Sequence, residues 1–146
     1  MFKEYVEKIR NAHVHDVAIK TPLEVASSLS VRLNNRILLK REDLQPVFSF
    51  KLRGAYNKMA GLSKAELKKG VVASSAGNHA QGVALAASRL ETKATIVMPR
   101  TTPAIKVNAV KSYGARVILH GDDYDTAFDH AMELVRKKGM IFIPPF

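Results

Sequence analysis

Cysteine is absent from the 146-residue sequence, and so is any long hydrophobic run. Without cysteine, disulfide frameworks and thiolate metal sites are excluded, and a cytoplasmic location is the default expectation. No apolar stretch approaches the ~20 residues that a transmembrane helix needs, and the first residues lack the apolar core of a secretory signal. We therefore expect a cytoplasmic protein that does not bind membranes.

Glycine is scarce as well, with eight residues and no two of them adjacent. The dinucleotide motif G-x-G-x-x-G does not occur. Gly77 and Gly82 have the spacing of a phosphate-binding Walker loop, but the Lys-Ser/Thr pair that completes such a loop is missing. The sequence therefore does not predict a nucleotide-binding loop of either kind.

The charge is strongly one-sided, with 23 basic residues against 13 acidic ones and a formal net charge of +10. Nucleic acid is the usual partner of so basic a protein. Here, however, the basic residues are dispersed and acidic residues stand among them. An anionic small molecule is therefore the favoured ligand, and nucleic-acid binding is not expected. No metal site is expected either, because the histidines have no matched partner ligands.

Short apolar runs alternate with helical periodicity in the second half of the chain. The runs predict strands at Val71–Ala73, Ala94–Met98, Arg116–Leu119 and Met140–Ile143, and the periodic stretches predict helices at His79–Leu90, Pro103–Tyr113 and Tyr124–Lys138. Such alternation is typical of an α/β fold: an open parallel sheet with helices on both faces. Thr102 is predicted as a helix N-cap before Pro103, and Ser63 to Glu66 as a capping box. Helices are expected to end at Gly70, Gly114 and Gly139.

The first half has a different pattern. It predicts an amphipathic helix at Phe2–Ala12, a second helix starting at Thr21–Pro22, a strand at Arg36–Lys40 and a helix at Phe50–Leu62. A soft boundary is placed near Gln45–Pro46. The apolar stop at residues 143–146, directly after a predicted strand, favours a fragment of a longer protein.

One segment with possible chemistry is Val47 to Ala55 (V-F-S-F-K-L-R-G-A), with Lys51 near a helix start. A lysine amine has an ordinary pKa of ~10.4, so it must lose its charge to act as a nucleophile. The positive end of a helix, apolar neighbours such as Phe48 and Phe50, and nearby Arg53 would each disfavour the ammonium form. These features suit a lysine that forms imines. Taken alone, the segment is better explained by a surface lysine with a buried stem.

The other segment is Ser74 to Gly82 (S-S-A-G-N-H-A-Q-G), directly after a predicted strand. Small residues let the backbone approach a ligand, and the following helix offers free N–H groups to an anion. Open parallel sheets bind ligands at such carboxyl ends of strands. An ordinary tight turn with Asn78 as a helix cap is an equally good reading of this segment by itself.

Together, the two segments resemble the fold-type II pyridoxal-phosphate enzymes, whose fold is that of the tryptophan synthase β chain. In that family the Ser-Phe-Lys-x-Arg-Gly-Ala segment supplies the lysine that forms a Schiff base with pyridoxal 5′-phosphate. The resemblance implies Lys51 for this role and Asn78 as the partner of the cofactor's 3′-oxygen. The substrate carboxylate would be held by five residues of the loop: Ser75, Ala76, Gly77, Asn78 and His79.

Within the family the chain is most similar to the biosynthetic threonine dehydratases. Stretches that carry this similarity are Thr21 to Leu23, Leu39 to Pro46, Ser49 to Ala60 and Ser75 to Val83. The resemblance implies dehydration and deamination of L-threonine, or of L-serine, with Lys51 as the base that takes the Cα proton. The product from threonine would be 2-oxobutanoate with ammonia, the first step of isoleucine biosynthesis. Alternatives are a catabolic serine/threonine dehydratase, an enzyme like serine racemase, or a non-catalytic α/β binding module.

The resemblance also implies a division of the chain. Residues 1–45 would belong to the larger domain of the enzyme, incomplete here, and residues 46–146 would form the smaller α/β domain with the lysine and the asparagine loop. The family's glycine-rich phosphate cup is not found in this sequence. We therefore expect this chain alone to bind the cofactor poorly and to lack activity, and the full-length protein to be a homo-oligomer.

Overall fold

The computed structural model describes residues 2–146, which form seven α-helices and six β-strands. The helices are α1 Phe2–Arg10, α2 Ser27–Arg32, α3 Lys51–Ala60, α4 Lys64–Lys69, α5 Asn78–Arg89, α6 Ala104–Ser112 and α7 Tyr124–Lys138. The strands are β1 Leu23–Val25, β2 Leu38–Lys40, β3 Val71–Ser74, β4 Ala94–Met98, β5 Arg116–Leu119 and β6 Ile141–Phe142. Two short 3-10 turns cover His13–Asp16 and Glu42–Leu44.

A four-stranded parallel sheet lies at the centre, in the order β5-β4-β3-β6. All residues of β3 and β4 are buried. Alternate residues point to opposite faces, as the pleat requires. Ala73 and Ile96 pack in a core formed with helices α3, α5 and α6, while Val72 and Val97 pack with α7 on the other face. The predicted open parallel sheet with helices on both faces is confirmed.

Helix ends in this region follow the predicted local chemistry in most places. Ser63 and Glu66 make both bonds of a capping box, at 3.2 Å from the Glu66 amide to the Ser63 hydroxyl and 2.8 Å in the reverse direction. Gly139 ends α7 in the left-handed conformation, where its φ of 66° suits glycine. The prediction for Thr102 is wrong. Pro103 itself is the N-cap, with a non-helical ψ of 140°, and the helix begins at Ala104.

The N-terminal part is built around an antiparallel pair, β1 with β2, in which Leu23 faces Lys40. The helix predicted to start at Thr21–Pro22 is therefore wrong. The Thr21 hydroxyl donates to Glu42, and the Pro22 carbonyl accepts a hydrogen bond from the Arg41 amide. These contacts keep the chain extended beside β2, so that strand pairing prevails over local helix propensity. The next helix begins only at Ser27.

Candidate active site at the carboxyl edge of the sheet

The loop between β3 and α5 leaves several backbone donors free. No side chain caps α5, whose N-cap residue is Gly77. The Ser75 amide donates to the Val97 carbonyl, and the Gly77 amide donates to the Ser75 hydroxyl. Among residues 2–146, no partner is found for the amides of Ala76, Asn78 and His79. These N–H groups stand at the positive end of the helix, where an anionic group is favoured.

Lys51 is the first residue of α3, and α3 crosses α5 at very short range. A Cβ atom added to Gly82 would lie 3.1 Å from the carbonyl carbon and oxygen of Lys51 and 3.2 Å from the amide nitrogen of Leu52. Glycine, which has no Cβ, accommodates this approach without a shift of the Lys51 backbone. Gly82 therefore sets how closely the lysine backbone lies to the helix that follows the loop.

A cavity of about 250 Å³ lies beside this crossing. Its walls come from both ends of the α/β region: Phe50, Lys51, Arg53, Gly54, Ala55, Lys58, His79, Pro144, Pro145 and Phe146. Lys51 is half-buried there. Its Nζ donates a hydrogen bond of 2.8 Å to the carbonyl of Pro145. The ring centroids of Phe50 and Phe146 lie 5.8 and 5.6 Å from the same nitrogen.

His79 reaches the same end of the chain from α5. Its side chain is buried, and Nε2 lies 3.0 Å from the carbonyl oxygen of Ile143. Burial lowers the pKa of His79 below its ordinary value, and the positive charge of Lys51 acts in the same direction, against a smaller opposing effect of the Ile143 carbonyl. The neutral imidazole is therefore favoured in the folded protein.

Arg53, two residues after Lys51, is turned away from it towards Glu42. The guanidinium makes two bonds to the carboxylate, at 2.7 and 2.9 Å. Thr21 and Gln45 donate to the same carboxylate. Arg53 is the main cause that lowers the pKa of Glu42 to about 2. The Arg53 guanidinium is therefore paired with Glu42 in this structure.

The structure brings together only some of the predicted site residues. Lys51 and His79 line one cavity, whereas Asn78 and the three loop residues before it do not. Those three loop residues are half-buried and Asn78 is exposed, as the first residue of α5. The sequence missed the imidazole contact of His79 and the acceptor role of Pro145. A backbone carbonyl has no sequence signal, so the second of these could not have been found.

The residues present fit a cofactor with an aldehyde, bound at Lys51, and a substrate carboxylate at the start of α5. The primary amine of Lys51 lines the cavity, and free amides stand at the start of α5. A Cβ at Gly54 or Gly77 would meet nothing within 4 Å, so there is room beside both helices. The buried hydroxyls of Ser49 and Ser74, which belong to the two segments, have no hydrogen-bond partner within residues 2–146.

The fold is a parallel α/β sheet, with Lys51 at the start of α3 and free amides at the start of α5. These features define the class of protein: a ligand-binding α/β protein with a lysine in its site. The comparisons with known proteins name the family. The model of the pyridoxal-phosphate dependent enzyme family matches residues 14–146. The chain belongs to this family.

Its curated relatives are much longer than the chain. It is 59% identical over 143 residues to the biosynthetic, chloroplastic threonine dehydratase of Arabidopsis thaliana, which covers 98% of this chain and 24% of that protein. It is 52% identical over 143 residues to the biosynthetic L-threonine dehydratase of Escherichia coli, with 98% and 28% covered. The chain thus spans about a quarter of the length of these relatives.

Solved structures show the same fold. The processed form of threonine deaminase isoform 2 from Solanum lycopersicum has a TM-score of 0.94 and 56% identity, over 99% of this chain and 40% of that one. Maize serine racemase has a TM-score of 0.91 and 33% identity, over 97% and 44%. The predicted fold-type II architecture is confirmed by these neighbours.

No helix within residues 2–146 is long and apolar enough to cross a membrane. In the same range, no three side chains of the types His, Cys, Asp or Glu are grouped as they would be around a metal ion.

Proposed function

We propose that this chain provides the cofactor-bearing lysine of an enzyme that converts L-threonine to 2-oxobutanoate and ammonia. The observation that carries the proposal is the position of Lys51, which lines a cavity together with His79 of α5. The threonine dehydratases among the relatives, at 59% and 52% identity, support the choice of reaction. We further propose that residues 46–146 form the smaller domain of the enzyme and that residues 1–45 belong to the larger one.

Lys51 would hold the cofactor through its Nζ and would take the proton from the substrate Cα once its amine is free. When bound, pyridoxal phosphate supplies an electron sink for the charge that develops at Cα. The free amides of Ala76, Asn78 and His79 would bind the substrate carboxylate, together with Ser75 and Gly77. The Asn78 side chain, exposed at the start of α5, would contact the cofactor's 3′-oxygen. Fixing the carboxylate orients the Cα–H bond towards the base.

L-Serine is a second candidate substrate, because a serine racemase shares the fold at 33% identity and a TM-score of 0.91. The name of the Arabidopsis relative favours threonine. A cytoplasmic location and a homo-oligomeric full-length protein stay predictions. The name of the same plant relative includes the word chloroplastic, so location differs among relatives.

The lysine assignment is tested by titrating the purified chain with excess pyridoxal phosphate. Wild type should develop the absorbance band of lysine-linked cofactor, and Lys51→Ala should lack it. Lys106→Ala, which removes an exposed lysine of α6, is the matched control and should behave as wild type. Equal bands in wild type and Lys51→Ala would contradict the assignment. The chain alone should produce no 2-oxobutanoate from threonine, and robust turnover would refute that part.

A further inference from the structure

The segment Ile143 to Phe146 is held by two side chains from different helices. His79 of α5 contacts the Ile143 carbonyl at 3.0 Å, and Lys51 of α3 donates to the Pro145 carbonyl at 2.8 Å. The partners are 64 and 94 residues apart in sequence. Both contacts lie at the cavity described above, so the segment closes one side of the lysine site.

The chemistry of the first contact defines the state of His79. A carbonyl oxygen has lone pairs and no hydrogen, so it can only accept. The Nε2 atom of His79 must therefore be the protonated ring nitrogen. Because burial favours the neutral ring, Nδ1 is left without a hydrogen. His79 thus acts as a single N–H donor, fixed in one tautomer.

The position of the Pro145 carbonyl depends on how Ile143 is held. Ile143 is fully buried, and its amide donates to the Val72 carbonyl at 2.9 Å, in continuation of the pairing between β3 and β6. Two prolines follow, and each has a φ locked near about −65°. This stiff pair transmits the position of Ile143 to the Pro145 carbonyl. The one hydrogen bond found beyond Ile143 within residues 2–146 is the bond from Lys51.

We propose that His79 is a positioning residue, which fixes the segment Ile143 to Phe146 so that the Pro145 carbonyl serves as the docking acceptor of the Lys51 side chain. The proposal rests on the proposed function, since it gives Lys51 a defined place while its amine is not linked to cofactor. In that state the amine would otherwise have several rotamers, and a proton transfer needs one of them. The rings of Phe50 and Phe146 flank the docked nitrogen.

The test uses the cofactor-free chain and nuclear magnetic resonance of its lysine side-chain ammonium groups at low temperature and slightly acidic pH. In wild type, the Lys51 ammonium hydrogens should exchange with water several-fold more slowly than those of exposed Lys106. His79→Leu, which keeps bulk but has no donor, should remove this protection. His79→Gln should retain it, because the glutamine amide can donate from nearly the same position. His130→Leu, on α7, is the control and should leave the protection unchanged.

A second variant separates positioning from folding. Pro145→Gly keeps the His79 contact but loosens the connection to the acceptor, so Lys51 protection should fall while the Ile143 amide stays protected from exchange. If His79→Leu does not fold, the result from Pro145→Gly and the nitrogen shifts of the His79 ring in wild type still decide. The proposal would be overturned by any of three results. These are fast exchange of the Lys51 ammonium hydrogens in wild type, a His79 ring hydrogen on Nδ1 rather than Nε2, and full Lys51 protection in Pro145→Gly.

This outcome is independent of the cofactor experiment. The Lys51 hydrogens could be protected in a chain that does not link pyridoxal phosphate through Lys51. That result would contradict the proposed function but support the docking contact. Conversely, the cofactor could be linked through Lys51 while the Lys51 hydrogens are unprotected. That result would contradict the docking contact alone.

Discussion

Residues 2–45 leave most of their apolar side chains exposed, whereas residues 46–146 bury many of theirs. Every residue of β1 and β2 is exposed, whereas every residue of β3 and β4 is buried. Within residues 2–45 the buried residues are Ala18, Thr21 and Gln45, and two of these are polar. The sheet region is therefore stabilised by an apolar core, and the N-terminal region adds polar contacts to the few apolar ones it makes around Ala18.

The helix that carries Lys51 connects the two regions. Leu52, Ala55 and Met59 of α3 are buried in the apolar cores. On the same helix, Arg53 binds Glu42, whose carboxylate also accepts from Thr21. The position of the lysine thus depends on both kinds of interaction, and each can be removed separately.

The largest difference should come from one apolar substitution made in both regions. Ile96→Ala, in the fully buried β4, should lower the free energy of unfolding by about 2–5 kcal/mol, because it leaves a cavity in a packed core. Ile9→Ala, at a residue of α1 that is 73% exposed, should change it by less than about 0.5 kcal/mol. Chemical denaturation measures both. Similar losses in the two variants would show that the regions do not differ as described.

The next largest loss of stability should come from the polar hub, which is the Glu42 carboxylate with its donors Thr21, Gln45 and Arg53. Glu42→Gln puts an amide where Thr21, Gln45 and Arg53 all donate, so at least one donor loses its acceptor, at a cost of about 1–3 kcal/mol. Hydrogen exchange should show residues 13–25 opening more readily than the sheet. Glu24→Gln, at an exposed ion pair with Arg41, should have little effect. Unchanged exchange in Glu42→Gln would show that the hub does not hold the N-terminal region.

Two glycine substitutions should have opposite signs. Gly82→Ala forces a Cβ against the Lys51 backbone at 3.1 Å, an overpacking that costs about 1–3 kcal/mol. The higher helix propensity of alanine offsets about 1 kcal/mol, so a net loss of up to about 2 kcal/mol is expected. Gly54→Ala, where nothing lies within 4 Å, should stabilise by about 0.5–1 kcal/mol. Stabilisation by both variants in thermal unfolding would contradict the close crossing of α3 and α5.

The smallest effect should be the pH dependence that His79 contributes. Burial lowers its pKa in the folded protein below the ordinary value of 6.5. The unfolded state therefore binds the proton first, and wild-type stability should decline as pH falls below about 6.5, until the lowered pKa is reached. His79→Gln has no such group, so the stability difference between the two proteins should shift in favour of the variant at lower pH. A constant difference between pH 5 and 8 would contradict the lowered pKa.

The same contrast explains what the sequence could predict. The bounds of β4, β5 and α7 agree with the structure, because apolar periodicity matches a real apolar core there. Where a helix was expected to start at Thr21–Pro22, the chain leads into strand β1, because contacts with Glu42 and Arg41, distant in sequence, decide the backbone there. No local pattern contains that information.

In the candidate site, too, some features could be predicted from local sequence and others could not. Lys51 and the loop before α5 were found from their motifs, and the crossing of α3 with α5 brings Lys51 into one cavity with His79. The close crossing at Gly82 and the acceptor at Pro145 were not found, because both depend on backbone atoms. The imidazole contact of His79 was not found because its partner is 64 residues away.

The central claim is that Lys51, among all lysines of the chain, is the residue that links the cofactor. The most direct measurement treats the folded chain with pyridoxal phosphate, reduces the product with borohydride and locates the modification by peptide mass spectrometry. The account predicts that the reduced adduct concentrates on Lys51 and that it spreads over the surface once the chain is unfolded. An adduct shared among exposed lysines in the folded chain, or concentrated on a lysine other than Lys51, would contradict it.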